Sequence, residues 1–241
     1  MKIHAYIIAW NEERILPFTL DHYSQFCEKI YVYDNMSTDG SDEIYKKYDK
    51  VVVKKWQTPE KKYNQLIVDH DIKSNIYKQS RKYDVDWVIV CDCDEFLYHE
   101  NLLDKLKEYK DKGITMPKID GHDMFSETFP EHDGEPITDK IKIGSETYDV
   151  MCKNIIFNPS LDIKYSFGSH SVNAPTAKFS EEAELKLLHY KFLGKEYVNW
   201  RYNKLSKQLS DFNIKNGLGG HWTRPPMKYM DEMKEKQFKV I

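Results

Sequence analysis

Long apolar runs are missing from this 241-residue sequence. No stretch approaches the roughly 20 consecutive apolar residues that a membrane-spanning helix needs, so a spanning segment is excluded. The opening MKIHAYIIAWNEER has one lysine and a short apolar stretch that runs into Asn-Glu-Glu without a small-residue cleavage site. It reads as a strand and not as a secretory leader. Cysteine is scarce: Cys27, Cys91, Cys93 and Cys152 form no CxxC pair. A disulfide framework is excluded, and free thiols in a reducing, cytoplasmic setting are expected. Cys91, Cys93, Cys152 and His99 fit no zinc spacing. The formal net charge of −3 excludes a generally basic nucleic-acid surface, leaving room only for a local patch. Neither GxxxxGK[ST] nor a GxGxxG after the first strand is present, so P-loop and dinucleotide sites lose their main support. With no internal repeat, low-complexity tract or linker, one domain over residues 1–241 is expected.

What is present describes a globular chain: 40% hydrophobic and 31% charged residues, with 17 Tyr, 11 Phe and 5 Trp. Such aromatic content opposes disorder and favours surfaces that stack on planar ligands or sugars. Lys2 to Trp10, Lys29 to Asp34, Lys50 to Trp56 and Asp86 to Asp92 read as strands, rich in β-branched and aromatic residues. Between them, Leu16, Leu20, Tyr23 and Cys27 recur at helical spacing. Ser37, Thr38 or Ser41 can cap a short helix through Ile44. A longer helix is expected from about Asn64 to Tyr83. Strands alternating with helices predict an α/β fold with a mostly parallel central sheet flanked by helices. A helix near Leu102 to Tyr109 and a strand at GITMPKI follow. The later pieces are shorter and turn-rich, and ELKLLHYKFL is ambiguous between strand and helix. YVNWRYNKLSKQLSDF reads as helix, and the tail as a charged surface helix. A smaller mixed portion in the C-terminal half is therefore expected beside the nucleotide-binding half of residues 1–100.

Parallel sheets bind ligands beyond the carboxyl ends of their strands. Those ends are Trp10-Asn11-Glu12, Asp34-Asn35 and Asp92-Cys93-Asp94-Glu95. The last breaks the rule that charged groups are rarely buried without partners. Strand alternation puts Asp92 and Asp94 on one side, with Cys91, Cys93 and Glu95 opposite. Two carboxylates at a strand end make a hard-oxygen site suited to Mg²⁺ or Mn²⁺, especially where a diphosphate adds oxygens. The plain alternative is a solvated loop with a helix-capping acid.

YIIAWNEERIL, IYVYDNMSTDGSDEI and DWVIVCDCDEFLY, in that order and spacing, resemble the glycosyltransferases of the GT-A fold, in the large family-2-like group. The resemblance covers roughly the first 100 residues. More loosely, YDVMCKNIIF, FGSHSV, LLHYKFLG and the helix bearing Arg201 resemble the distal half of a subgroup whose later histidine completes a metal site. It implies a GT-A, Rossmann-like fold with an acceptor-side half over residues 101–241, and transfer of a sugar from a nucleotide-diphosphate sugar, UDP-linked, to a hydroxyl of a glycan or other acceptor. It implies Asp34 at the base or ribose beside Ala9, Trp10, Asn11 and Glu12. It implies Asp94 as metal ligand, Asp92 on ribose or metal, and His189 as the third ligand to Mn²⁺ or Mg²⁺. His189 can otherwise be a hydrogen-bonded histidine on a sheet. His170 can meet phosphate or acceptor. Asn75 and Lys78, one helical turn apart, can face the nucleotide or simply form a solvated helix face. Lys153 and Arg201 can neutralise the diphosphate or be surface charges.

An inverting reaction needs a group to take the acceptor proton. IDGHDMFSE offers Asp120, His122, Asp123 and Glu127, of which Asp123 is preferred. No clear Gln-x-x-Arg-Trp motif of processive polymer synthases is present, so single-sugar transfer is expected. Two alternatives remain: a sugar-1-phosphate nucleotidyltransferase, which would want a Gly-rich basic loop after the first strand, and a non-catalytic carbohydrate-binding protein of the same fold, which would have no need of the acids.

Overall fold

Why a sheet should contain near-continuous apolar runs is visible in where their alternate residues go. The structure is a computed structural model describing residues 1–241, the side chains of residues 229 and 233 excepted. β1 (Ile3–Ala9), β2 (Lys29–Asp34), β3 (Val51–Lys55) and β4 (Trp87–Asp92) pair in parallel, and β8 (Ile156–Phe157) closes the edge antiparallel, in the order β3-β2-β1-β4-β8. Ile3, Ala5 and Ile7 pack on one face with Leu16 and Leu20 of α1 (Leu16–Ser24). Tyr6, Val88 and Val90 pack on the other with Ile76 and Tyr77. Both faces are covered, so the runs cannot alternate with polar residues. Each fully buried aliphatic side chain contributes roughly 1.5–3 kcal/mol of transfer free energy. Pro17 sits in the first turn of α1, where its missing N–H costs no helix bond.

The chain runs outward from β1 to β2 and β3, then returns to the far side of β1 as β4. The direction of winding therefore switches between β1 and β4, and the crevice at a switch point is where such sheets bind ligands. The loops after β1 and β2 are stapled together. The Asn11 N–H donates to Ser37 Oγ (2.8 Å), the Thr38 N–H to Asn11 Oδ1 (2.7 Å) and the Gly40 N–H to Glu13 Oε2 (2.8 Å). Of the expected caps for α2 (Ser41–Tyr45), none acts through its side chain, because Ser37 is occupied by Asn11 and the helix starts after Gly40.

A turn at Cys93-Asp94 carries the chain into β5 (Glu95–Tyr98) and a second sheet. That sheet has the order β12-β7-β6-β11-β5, with β6 (Met116–Ser126), β7 (Ile143–Gly144), β11 (Phe179–Leu193) and β12 (Phe238–Lys239). β9 (Lys164–Tyr165) and β10 (Val172–Asn173) form a separate pair. The helices α3 (Leu102–Asp111), α4 (Ile137–Lys140), α5 (Lys195–Ser206), α6 (Asp211–Lys215) and α7 (Met227–Glu235) complete the chain. No helix among the described residues is long and apolar enough to cross a membrane.

Several expectations change here. The ambiguous ELKLLHYKFL belongs to β11, pairing parallel with β6 and antiparallel with β5. The single helix expected over residues 64–83 is two pieces, a π-helical segment Ile67–Lys73 and a 3₁₀ segment Ile76–Lys82. Ser74 Oγ donates to the Asp69 carbonyl (2.6 Å) and the Asn75 amide to the His70 carbonyl (3.0 Å), so side chains take over backbone acceptors at the break. The helix expected over residues 197–212 divides into α5 and α6, because Ser210 accepts from the Asn213 N–H (3.2 Å) and starts a new cap. The tail holds α7 and then β12, which pairs with β7.

Candidate active site

Beyond the carboxyl ends of β1 and β4 lies a cavity of about 520 Å³, within the usual size for a small-molecule site. Ala9, Trp10 and Glu12 line it from β1, Asp92 and Asp94 from the turn after β4, and His189 and Lys191 from β11.

The acids at the turn are each held by a cation. Asp94 is 1% exposed, and its Oδ2 is ion-paired with Arg201 Nη1 (2.7 Å) and lies 2.9 Å from His189 Nε2. The other ring nitrogen of His189 donates to Asp123 Oδ1 (2.7 Å), and Tyr148 Oη donates to Asp123 Oδ2 (2.6 Å). Lys73 meets Asp92 at 2.9 Å, and Lys153 meets Glu95 at 2.5 Å. The expectation that Glu95 points away from the aspartates is corrected. The chain turns at Cys93-Asp94 instead of running straight, and Glu95 Oε2 accepts the Asp92 N–H (2.9 Å), so all three acids gather. Cys91 and Cys93 point into the core, as free thiols.

Charge follows from these contacts. Burial opposes ionisation of Asp94, but Arg201 and then His189 hold its carboxyl well below the usual range. Burial works against the His189 imidazolium, yet Asp94 and Asp123 lift its pKa to about 9. Asp123 is held at about 2 against desolvation, chiefly by its bond from His189. Desolvation pushes the Asp92 carboxyl up, partly offset by Lys73.

The donor set suits a divalent cation. With Nδ1–H committed to Asp123, a neutral His189 presents its Nε2 lone pair to an Asp94 oxygen, so a cation, either a proton or a metal, must lie between them. A carboxylate behind a ligating imidazole is the usual way its tautomer is fixed. Among the described residues no group of three or more His, Cys, Asp or Glu is placed to hold a metal alone.

The other residues singled out in the sequence divide. Lys153, His170 and Arg201 line the cavity. Asp34 does not. It is fully buried and accepts from the Ser37 N–H (2.7 Å), Tyr45 Oη (2.8 Å) and Lys55 (3.0 Å), so its neighbour Asn35 is the residue on the cavity wall. Asn11 spends its amide oxygen on the Thr38 N–H. Asn75 and Lys78 bond to each other (2.9 Å) and Lys78 to Asp162 (3.5 Å), on an exposed face outside the cavity. Glu127 is exposed and paired with Lys234 (2.7 Å), and Asp120 is also outside the lining, because alternation along β6 puts Asp123 toward the cavity and Asp120 away from it. His122 donates from Nδ1 to the Ser145 carbonyl (2.9 Å) and does not line the cavity.

Residues that the sequence reading missed are Lys73, Tyr148, Lys191, Trp56 and the C-terminal His221 and Trp222, all on the wall. Lys73 depends on the π-helical turn, which has no sequence signature, and is buried against Asp92. Tyr148 and Lys153 arrive on a segment that crosses β6 at Gly121, where a Cβ would stand 1.9 Å from the Met151 carbonyl oxygen.

A sheet wound on both sides of β1, with acids and an imidazole in the switch-point crevice, is the arrangement of an α/β small-molecule site. The family model for glycosyl transferase family 2 matches residues 5–168, and the chain belongs to that family. Among solved structures, TarS 1–349 of S. aureus in complex with UDP-GlcNAc shares 14% identity and a TM-score of 0.47, covering 86% of this chain and 66% of that one. Glucosyl-3-phosphoglycerate synthase of Mycobacterium tuberculosis, with Mn²⁺, UDP and glucosyl-3-phosphoglycerate, shares 18% identity and a TM-score of 0.32, covering 50% and 44%. The 4-diphosphocytidyl-2C-methyl-D-erythritol synthase of Anaerococcus prevotii shares 16% identity and a TM-score of 0.36, covering 66% and 70%. This chain spans 41% of the longer TarS chain. No curated protein matches this sequence.

Proposed function

We propose that the protein is a divalent-metal-dependent glycosyltransferase that moves one sugar from a UDP-sugar to a hydroxyl of a glycan or similar acceptor. Residues 1–100 take the nucleotide and residues 101–241 the acceptor. The observation that carries this reading is the line Asp94–His189–Asp123 in the switch-point cavity. Asp94 and His189 hold Mn²⁺ or Mg²⁺, and the imidazole favours Mn²⁺. When bound, the ion neutralises the diphosphate and stabilises the departing nucleotide. Asp123 fixes the His189 tautomer. In this reading the bonds it accepts from His189 and Tyr148 make it a positioning residue, where the sequence favours it as the base. Glu12 is 7% exposed and its Oε2 is buried without a partner, an acceptor that suits a ribose hydroxyl. Asn35 and Trp10 stand at the base. Arg201 and Lys153 keep the acids ionised and balance the phosphates. His170 donates from Nδ1 to the Val150 carbonyl (2.7 Å), which leaves its Nε2 lone pair for an acceptor hydroxyl.

The test is thermal unfolding with UDP, GDP, dTDP and CMP, each with and without Mn²⁺, for the wild type and Asp94→Asn. A ligand at 100 times its dissociation constant stabilises by roughly 2.7 kcal/mol, a rise of about 5–10 °C for a chain of this size. The expected result is a rise with UDP that needs Mn²⁺ and is absent in Asp94→Asn, together with UDP release from a UDP-sugar. No rise with any nucleotide would leave a carbohydrate-binding protein of the same fold as the better reading.

A further inference from the structure

The cavity's cations are paired almost throughout. Lys73, Lys153 and Arg201 have Asp92, Glu95 and Asp94 within ion-pair distance. Lys191 is different. It lines the cavity, yet among the described residues it makes no hydrogen bond or ion pair, and its ammonium lies 5.3 Å from the ring centroid of its own neighbour Phe192. Asp123 and then Asp94 are the carboxylates that act on it electrostatically, and their contacts go to His189, Tyr148 and Arg201. β11 places Lys191 two residues beyond His189, and both line the cavity, while Tyr190 between them is fully buried in the core. The register with β6 shifts between His189 and Phe192, the kind of irregularity that re-aims a side chain beside a site. An uncompensated ammonium in a half-buried place is destabilising, so stability alone gives no reason for it.

We propose that Lys191 is an anion subsite that receives a phosphate group of the ligand, and that this group belongs to the nucleoside diphosphate. The proposal rests on the donor reading above and deepens it. A compact ammonium with all its donors free suits a phosphate oxygen, and β11 keeps it within a strand repeat of the imidazole assigned to the metal. A phosphate or carboxylate on the acceptor has the same chemistry, and the test separates the two sources.

Calorimetric titration of the full chain in Mn²⁺, for the wild type, Lys191→Met and Lys191→Arg, uses UDP, uridine, and inorganic phosphate added to UDP-saturated protein. The expected result is that Lys191→Met weakens UDP tenfold or more, leaves uridine unchanged, and is largely rescued by Lys191→Arg. Without ligand, Lys191→Met should unfold at or above the wild-type midpoint, because an unpaired, half-buried charge has been removed. If UDP is unaffected while phosphate binding to the UDP-saturated protein is lost, the donor assignment is overturned and the subsite belongs to an anionic acceptor. Unchanged affinity for both UDP and phosphate overturns the subsite altogether, as does a ligand-free midpoint lowered by several degrees, which would make Lys191 structural. Failure of the wild type to bind any nucleotide would sink the donor reading, and the assignment of Lys191 to the diphosphate would fall with it.

Discussion

Asp123, the carboxylate that the sequence favours as proton acceptor, lies on the cavity wall and is engaged on both oxygens. One oxygen takes the His189 Nδ1–H and the other the Tyr148 hydroxyl. Asp123→Asn keeps the shape and removes the charge that fixes the imidazole. The expected outcome is a 10- to 100-fold loss of Mn²⁺ affinity, the usual cost of losing a carboxylate behind a ligating histidine. Calorimetric titration with Mn²⁺ checks it. Full Mn²⁺ affinity with abolished sugar transfer would restore Asp123 as the base. At this scale the sequence was partly legible. Asp92 and Asp94 announced themselves, because acids that close an apolar strand need a reason. Asp34 misled, because a carboxylate that organises its own loop and one that meets a ligand look alike in a linear chain. Lys191 gave no signal, since its significance is the lack of a partner, and partners are brought by the fold.

Strands and helices were readable where one periodicity dominated. β1 to β4 and α1 follow from uninterrupted apolar runs and helical spacing. β11 was ambiguous because half of it is buried on both faces, which erases alternation, and the break at Ser74-Asn75 depends on side chains capturing backbone acceptors. The crossing of β6 by the segment carrying Tyr148 and Lys153 turns on one residue. Gly121→Ala would drive a methyl into the Met151 carbonyl, where backbone has to move. The expected cost is about 3 kcal/mol or more, with a wild-type-like slope in urea unfolding if the rest of the fold survives. A change below about 1 kcal/mol would mean that the segment shifts freely and does not fix the wall.

Across the whole molecule, stability should fall on mild acidification. His22 is a clear contributor. Desolvation holds its pKa at about 4 despite the bond to the Leu97 carbonyl (2.9 Å), against about 6.5 in the unfolded chain. The folded protein thus keeps His22 neutral where the unfolded chain is protonated. Its contribution is complete above pH 6.5 and is lost progressively as pH falls from there toward 4. Between pH 7 and 5 this one group accounts for about 2 kcal/mol. Denaturant unfolding of the wild type and His22→Gln at both pH values checks the sign, since the variant should lose about that much less stability on acidification. Equal losses would place the acid sensitivity elsewhere, for example at His221, which burial also lowers to about 4. That the sheet would be mostly parallel, with its ligand site beyond the carboxyl ends of the strands, was legible from the alternation of elements. The second sheet was not, because its pairings join residues far apart in the chain.

Of five tryptophans, Trp10, Trp56 and Trp222 stand on the cavity wall, whereas Trp87 is sealed in the core at 1% exposure. The molecule consequently carries its own optical gauge. Indole emission is weighted toward the cavity, with Trp87 as an internal reference that solvent does not reach, so filling of the site can be followed by light without attaching a label.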